Sequence, residues 1–201
     1  MNGQRGGKCQ DQGLALCHID NPFHRLFHSR RYPHASDAFL KAGRNREAAI
    51  CDAYSLREKA RLTSTTTSAT RIQAFTIAAK AFSKCAQDSP SNRVNERQAY
   101  HGTAGECYSE ARELKNAGDS YRMAERYPEA ARTYREGGYF DEMVEVITQY
   151  GDTLDNDLLQ RLMMVAQMHY FKVCFNASLF PNISHFLYVV FKHQVSIQEP
   201  G

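Results

Sequence analysis

The sequence predicts an all-α chain assembled from short antiparallel helical hairpins. Three observations predict it: a small-to-aromatic motif that recurs, a long stretch that matches another stretch of the same chain, and helix punctuation at equivalent places in both copies. The motif is a small residue, usually a second small residue, two variable positions and an aromatic. It reads Ala35-Ser-Asp-Ala-Phe39, Ala78-Ala-Lys-Ala-Phe82, Ala104-Gly-Glu-Cys-Tyr108, Ala117-Gly-Asp-Ser-Tyr121 and Ala130-Ala-Arg-Thr-Tyr134, the last three spaced by thirteen residues. Positions i and i+4 of a helix share a face, so each motif sets an aromatic knob one turn from a gap left by alanine. Thirteen residues suit one short helix plus a tight turn, since ten residues span about 15 Å.

The self-match runs without gaps from Arg31–Glu47 onto Arg126–Glu142. Pro33 and Pro128 fall where a first helical turn tolerates a missing N–H, and Gly43 and Gly138 fall where a helix ends in a left-handed cap. Each copy therefore reads as helix, glycine turn, next helix. After Gly43 the apolar positions Ala49, Ala53, Leu56 and Ala60 form one stripe, with Ile50 and Tyr54 beside it and Arg57, Glu58, Lys59 and Arg61 on the solvent side. After Gly138 the stripe is Met143, Val144, Ile147 and Tyr150.

Breaks bound these elements. The run Thr63–Ala69 is polar and β-branched and reads as a loop, as does Asp88–Asn92. A helix is expected between them over 70–86. Asp155-Asn-Asp157 reads as the N-cap of a final helix through Leu158, Leu162, Val165, Ala166, His169 and Tyr170. The expected organisation is a poorly ordered segment over residues 1–21, a repeat domain over 22–172 with loops near 62–69 and 87–94, and an atypical tail over 173–201.

Composition narrows the function classes. Hydrophobic residues at 42% against 23% charged exclude a chain disordered throughout. A net charge of +3 is too small to name a polyanionic partner, yet Arg25, Arg30, Arg31, Arg44 and Arg46 cluster with few acids between them and are candidate nucleic-acid contacts. The plainer reading of that cluster is a solvated helix face. The six cysteines are scattered, and no apolar segment follows the charged N-terminus, so reduced thiols in an intracellular chain, cytoplasmic or nuclear, are expected. The triplets at Asn176 and Asn182 are of a kind common by chance.

No catalytic or cofactor constellation emerges. Gly7-Lys8 lacks the earlier glycine and the following Ser/Thr of a phosphate loop. Cys9, Cys17, His24 and His28 have gaps that match no standard zinc site. The carboxylate pairs Glu106/Glu110 and Glu142/Glu145 read as solvated faces, and Cys107 has no histidine at helical contact spacing. The expectation is a non-enzyme with no cofactor, no metal and no membrane partner.

The stretches Ser36–Ala49, Ala53-Tyr-Ser-Leu-Arg-Glu-Lys-Ala-Arg61, Ala104–Tyr108 and Tyr127–Glu142 resemble the tetratricopeptide-like helical-repeat region of large fungal proteins. Those proteins carry a UvrD-like superfamily 1 helicase domain and are similar to the tetratricopeptide and ankyrin repeat-containing protein. The likeness covers roughly residues 22 to 172, and the run Ala53–Arg61 is its most specific part. It implies hairpins stacked as a short α-solenoid whose groove takes a protein or peptide, with a nucleic-acid-binding accessory of a helicase as the alternative. The helicase motifs are absent, so the resemblance carries over no catalytic residue; the departure of residues 1–21 and 173–201 from its pattern implies a fragment or an incomplete gene model.

The tail departs from the pattern. From Val173 to Phe191 there is no Asp, Glu, Lys or Arg. A retained intron accounts for an abrupt change beginning at a valine codon; the alternatives are an extra helix broken at Pro181, or a membrane anchor of roughly the 20 residues a bilayer needs, against which Asn176, Pro181, Asn182 and His185 stand.

Overall fold

The computed structural model describes residue 26 and residues 30–63 and 68–176, the last six of these as backbone only. The described residues are helical throughout and contain no strand, so the all-α class holds. The α-helices whose ends both lie among the described residues are, in order, α1 (Tyr32–Lys41), α2 (Asn45–Leu62), α3 (Ser68–Gln87), α4 (Val94–Glu110), α5 (Leu114–Met123), α6 (Tyr127–Gly137), α7 (Phe140–Tyr150) and α8 (Asn156–Asn176), with a short 3-10 turn over Gly151–Thr153. Arg25 and the set Cys9, Cys17, His24 and His28 lie outside the described residues, as does the tail beyond Asn176. The backbone of α8 passes Val173 without a break, so the change in composition there is not the end of the helix.

The thirteen-residue pitch has a specific cause in the backbone. Positive φ occurs at Arg30, Gly43, Arg112, Glu125 and Gly138, and a helix begins two residues after each. The residue after each left-handed position donates its N–H to a carbonyl five residues back: Arg44 to Phe39 at 2.9 Å, Glu113 to Tyr108 at 3.0 Å, Arg126 to Tyr121 at 2.9 Å and Tyr139 to Tyr134 at 2.9 Å. This is the six-to-one bond of a Schellman cap, and in these four its acceptor is the motif aromatic; after Arg30 the Arg31 N–H bonds the Leu26 carbonyl at 3.0 Å. The residue that closes one helix is also the N-cap of the next, which is why arginine, glutamate and tyrosine stand where serine or aspartate would be usual. Ten helical residues and three of turn make thirteen.

The motifs form the core. Ala35, Phe39, Ala78, Phe82, Ala104, Tyr108, Ala117, Tyr121, Ala130 and Tyr134 are all buried. The second small residue has its own purpose at Gly105, where a Cβ would come within 2.8 Å of the Tyr121 ring. Tyr121 thus fills the gap that Gly105 leaves in the motif before it.

Two compact units divide the chain, the first ending at Arg126 and the second beginning at Tyr127. In the first, α1 packs on α2, α2 on α3, α3 on α4 and α4 on α5. Tyr54 stacks on Tyr32 at 5.5 Å and meets Phe82 edge-on at 5.0 Å, joining three helices. In the second, α7 and α8 pack together and both touch α6; Tyr127 stacks on Tyr150 at 3.8 Å.

Several side chains lie elsewhere than the periodicity predicts. In α2 the buried set is Ala48, Ile50, Cys51, Ala53, Tyr54, Ser55 and Ala60, while Ala49 is exposed and Leu56 half-buried. A helix flanked by two neighbours buries more than one stripe, so the single-stripe template misplaces its edge. In α7 Val146 is buried and Val144 only partly so. α3 starts at Ser68 rather than at residue 70, since serine and alanine suit a first turn. Asp155 caps α8 as expected, accepting the Leu158 N–H at 3.4 Å.

Candidate functional site

Two clusters of arginine and glutamate stand at opposite ends of α2 in the first unit. At its start Arg46 reaches across to Glu96 at the start of α4. Nearer its end Arg57 reaches Glu106, ten residues further along α4. The matched order means α2 and α4 run in the same direction, with α3 returning between them.

The first cluster is internal. Glu96, with a side chain only 4% exposed, accepts from Arg46, from Arg93 at 3.2 Å and from the Tyr100 hydroxyl at 3.0 Å. Arg46 also donates to the Ser89 hydroxyl at 3.3 Å, and Ser89 donates to the Cys85 carbonyl at 2.7 Å. The turn between α3 and α4 is thereby tied to α2. Burial, then the neighbouring Glu96 carboxylate, pushes the Tyr100 hydroxyl far above its usual range.

The second cluster opens onto solvent. A cleft of about 350 Å³ is walled by Arg57 and Arg61 of α2, Arg71 and Phe75 of α3, Glu106, Cys107, Ser109 and Glu110 of α4, and Tyr121 of α5. Glu106 is held between Arg57 and Arg126, the latter at 3.1 Å. Glu110 pairs with Arg71, and Glu58 with Arg61 at 3.0 Å. The floor is apolar: Phe75 and Cys107 are buried, and the Arg71 guanidinium lies 5.3 Å from the Phe75 ring centre.

Of the arginines singled out from the sequence, Arg30 and Arg31 are exposed at the turn before α1. Arg44 lies over the Phe39 ring at 4.9 Å and bonds Glu47 at 2.7 Å, a place set by the turn it closes; Arg126 lies over Tyr121 in the same way at 5.0 Å. Arg46 faces inward to Glu96, three-quarters buried. Arg30, Arg31, Arg44 and Arg46 therefore do not gather into one basic face, and Arg25 lies outside the described residues. The sequence reading missed the cleft because it treated each helix alone. A usable signal was present: Arg57/Arg61 and Glu106/Glu110 are oppositely charged pairs at the same i, i+4 spacing on helices of matching direction.

The thiols are poorly suited to nucleophilic work. Burial pushes Cys51 up to about 12, and Cys85 and Cys107 up to about 11, so at neutral pH each is a protonated, apolar filler. His101 is lowered by burial and by Arg97. Among the described residues no group of three His, Cys, Asp or Glu side chains is placed to hold a metal ion, and no helix is long and apolar enough to cross a membrane. No family model, curated protein or solved structure matches the chain.

Proposed function

We propose that the chain is a non-catalytic protein-interaction module: tetratricopeptide-like hairpins in a short α-solenoid, similar to the repeat region of UvrD-like helicase proteins and binding a peptide segment of a partner. The observation that carries this reading is the cleft, which four successive helices build together and which no single helix could form. Its guanidiniums and carboxylates are fixed by a packed helical scaffold around an apolar floor, the arrangement that orients a guest without reacting with it. The alternative, a nucleic-acid-binding accessory, rests on Arg30 and Arg31 at the turn before α1.

The test is selection of peptides from a random displayed library, followed by Ser109→Trp, which fills the cleft from a half-buried position. Selected peptides are expected to lose binding to the variant while far-UV circular dichroism stays unchanged. Retained binding by the variant removes the cleft from the reading. Single-stranded DNA that binds with a steep loss of affinity in salt, where no peptide binds, supports the alternative.

A further inference from the structure

We infer that the cleft recognises a carboxylate on a peptide, and that Glu110 occupies the guest's place until it is displaced. The inference rests on the interaction-module reading and names the chemistry of its partner. Its basis is an asymmetry among the ion pairs around the cleft. Three guanidiniums that line it, Arg57, Arg61 and Arg71, pair with Glu106, Glu58 and Glu110.

The three carboxylates are not held alike. Glu106 is gripped from two sides, and one of its partners, Arg57, is only 18% exposed. Glu110 pairs with Arg71 at the mouth, where the two side chains are 50% and 44% exposed. An exposed pair of this kind is screened by water and salt and exchanges its partner readily. Arg61, 47% exposed, is held by a neighbour on its own helix in the same weak way. Arg61 and Arg71 are thus the two forks that a guest can recruit, whereas Arg57 is committed to Glu106.

Guanidinium forks suit a carboxylate, which can accept two parallel hydrogen bonds from each. The Arg71 plane lies near the Phe75 ring, and Phe75, Cys107 and Tyr121 provide an apolar bed for the aliphatic stem of an acidic residue or for its neighbour. A nucleic-acid backbone fits less well: phosphates running along the arginines would meet Glu106, which stays in place between Arg57 and Arg126. One carboxylate needs only the exchangeable end.

The experiment measures fluorescence anisotropy of the full chain with a labelled six-residue peptide alternating glutamate and leucine, amidated at its C-terminus. Saturable binding is expected, with none for the same peptide carrying glutamine in place of glutamate. Arg61→Gln combined with Arg71→Gln is expected to weaken binding about tenfold, a loss of roughly 1.4 kcal/mol, with unchanged far-UV circular dichroism. Glu110→Gln is expected to strengthen it roughly threefold, because the internal competitor for an exposed pair is removed. That gain separates recognition from a structural role, which could only weaken binding. A glutamine peptide with a free C-terminus that binds, again more tightly to Glu110→Gln, supports the same site with the terminal carboxylate as its source.

Equal affinity of Glu110→Gln and the parent chain overturns the exchange. Binding of the amidated glutamine peptide that Ser109→Trp abolishes keeps the interaction module and overturns the carboxylate. Failure of every peptide, with single-stranded DNA binding that the two arginine substitutions remove, overturns both.

Discussion

The two arginine–glutamate clusters on α2 and α4 use the same side chains for opposite ends. Around Glu96 the pair is sealed: the carboxylate is 4% exposed and accepts from two arginines and a tyrosine hydroxyl. Around Glu110 the pair is open, half in water, beside a cleft. A sealed charge that loses its partner cannot turn to solvent, so the first cluster fixes how three helices meet. An open charge has water as a ready alternative, so the second contributes little to stability and remains available. Charge type does not decide the role; burial does.

The sharpest way to break this contrast is Glu96→Ala, which strands the three-quarters-buried Arg46 guanidinium and the buried Tyr100 phenol, while Arg93, 44% exposed, turns to water. We expect a loss of about 3 kcal/mol of unfolding free energy by urea titration, from the cost of leaving a buried charge unpaired. A loss below about 1 kcal/mol would mean that the first cluster is hydrated after all.

The next test asks whether the open cluster stands on a floor that cannot give way. Gly105→Ala sets a methyl within 2.8 Å of the Tyr121 ring beneath the cleft. Overpacking of this kind costs about 1–3 kcal/mol, and the better helix propensity of alanine returns about 1, so a net loss near 1 kcal/mol is expected. Gly102→Ala is the control. Its Cβ meets the flexible Arg126 side chain at 3.3 Å, and that substitution should be neutral or slightly stabilising by thermal melting.

The sequence made this floor legible but not the cleft above it. Local backbone rules act within a few residues, so the helices, the glycine turns at Gly43 and Gly138, the Asp155 cap and all five alanine-to-aromatic motifs could be read directly. The left-handed turns at Arg112 and Glu125 could not, because nothing about an arginine or a glutamate announces positive φ. They are held by the thirteen-residue pitch and the carbonyls of Tyr108 and Tyr121. The candidate site failed for a related reason. Arg44 and Arg46 look alike in sequence, yet one follows a turn and the other points to a glutamate fifty residues away. Only the packing order of α2, α3 and α4 separates an arginine that binds the fold from one that faces a guest.

A third test uses pH on the cleft floor. Cys107 is protonated in the folded chain up to about 11, whereas the unfolded thiol ionises near 9.0. The unfolded chain then binds fewer protons, so the stability is fully present below pH 9 and is lost as pH rises towards 11. Between pH 9 and 10 this one group should remove about 1 kcal/mol, and Cys107→Ala should flatten the decline by that amount. An unaltered decline, or rapid reaction of Cys107 with a thiol reagent at pH 8, would show that water already reaches the floor.

The smallest effect completes the contrast. Arg71→Gln removes a guanidinium whose side chain is 44% exposed and whose partner Glu110 is 50% exposed. Glu110 is not trapped when the pair breaks, because at half exposure it turns to water. Exposed ion pairs contribute about 0–1 kcal/mol, so the urea midpoint should move by no more than a few tenths of a kcal/mol in free energy, in either direction. High salt should shrink even that, since screening acts on an open pair and leaves the Glu96 cluster nearly untouched. If Arg71→Gln instead costs as much as Glu96→Ala, the mouth of the cleft is part of the scaffold, and Glu110 has no freedom to yield its place.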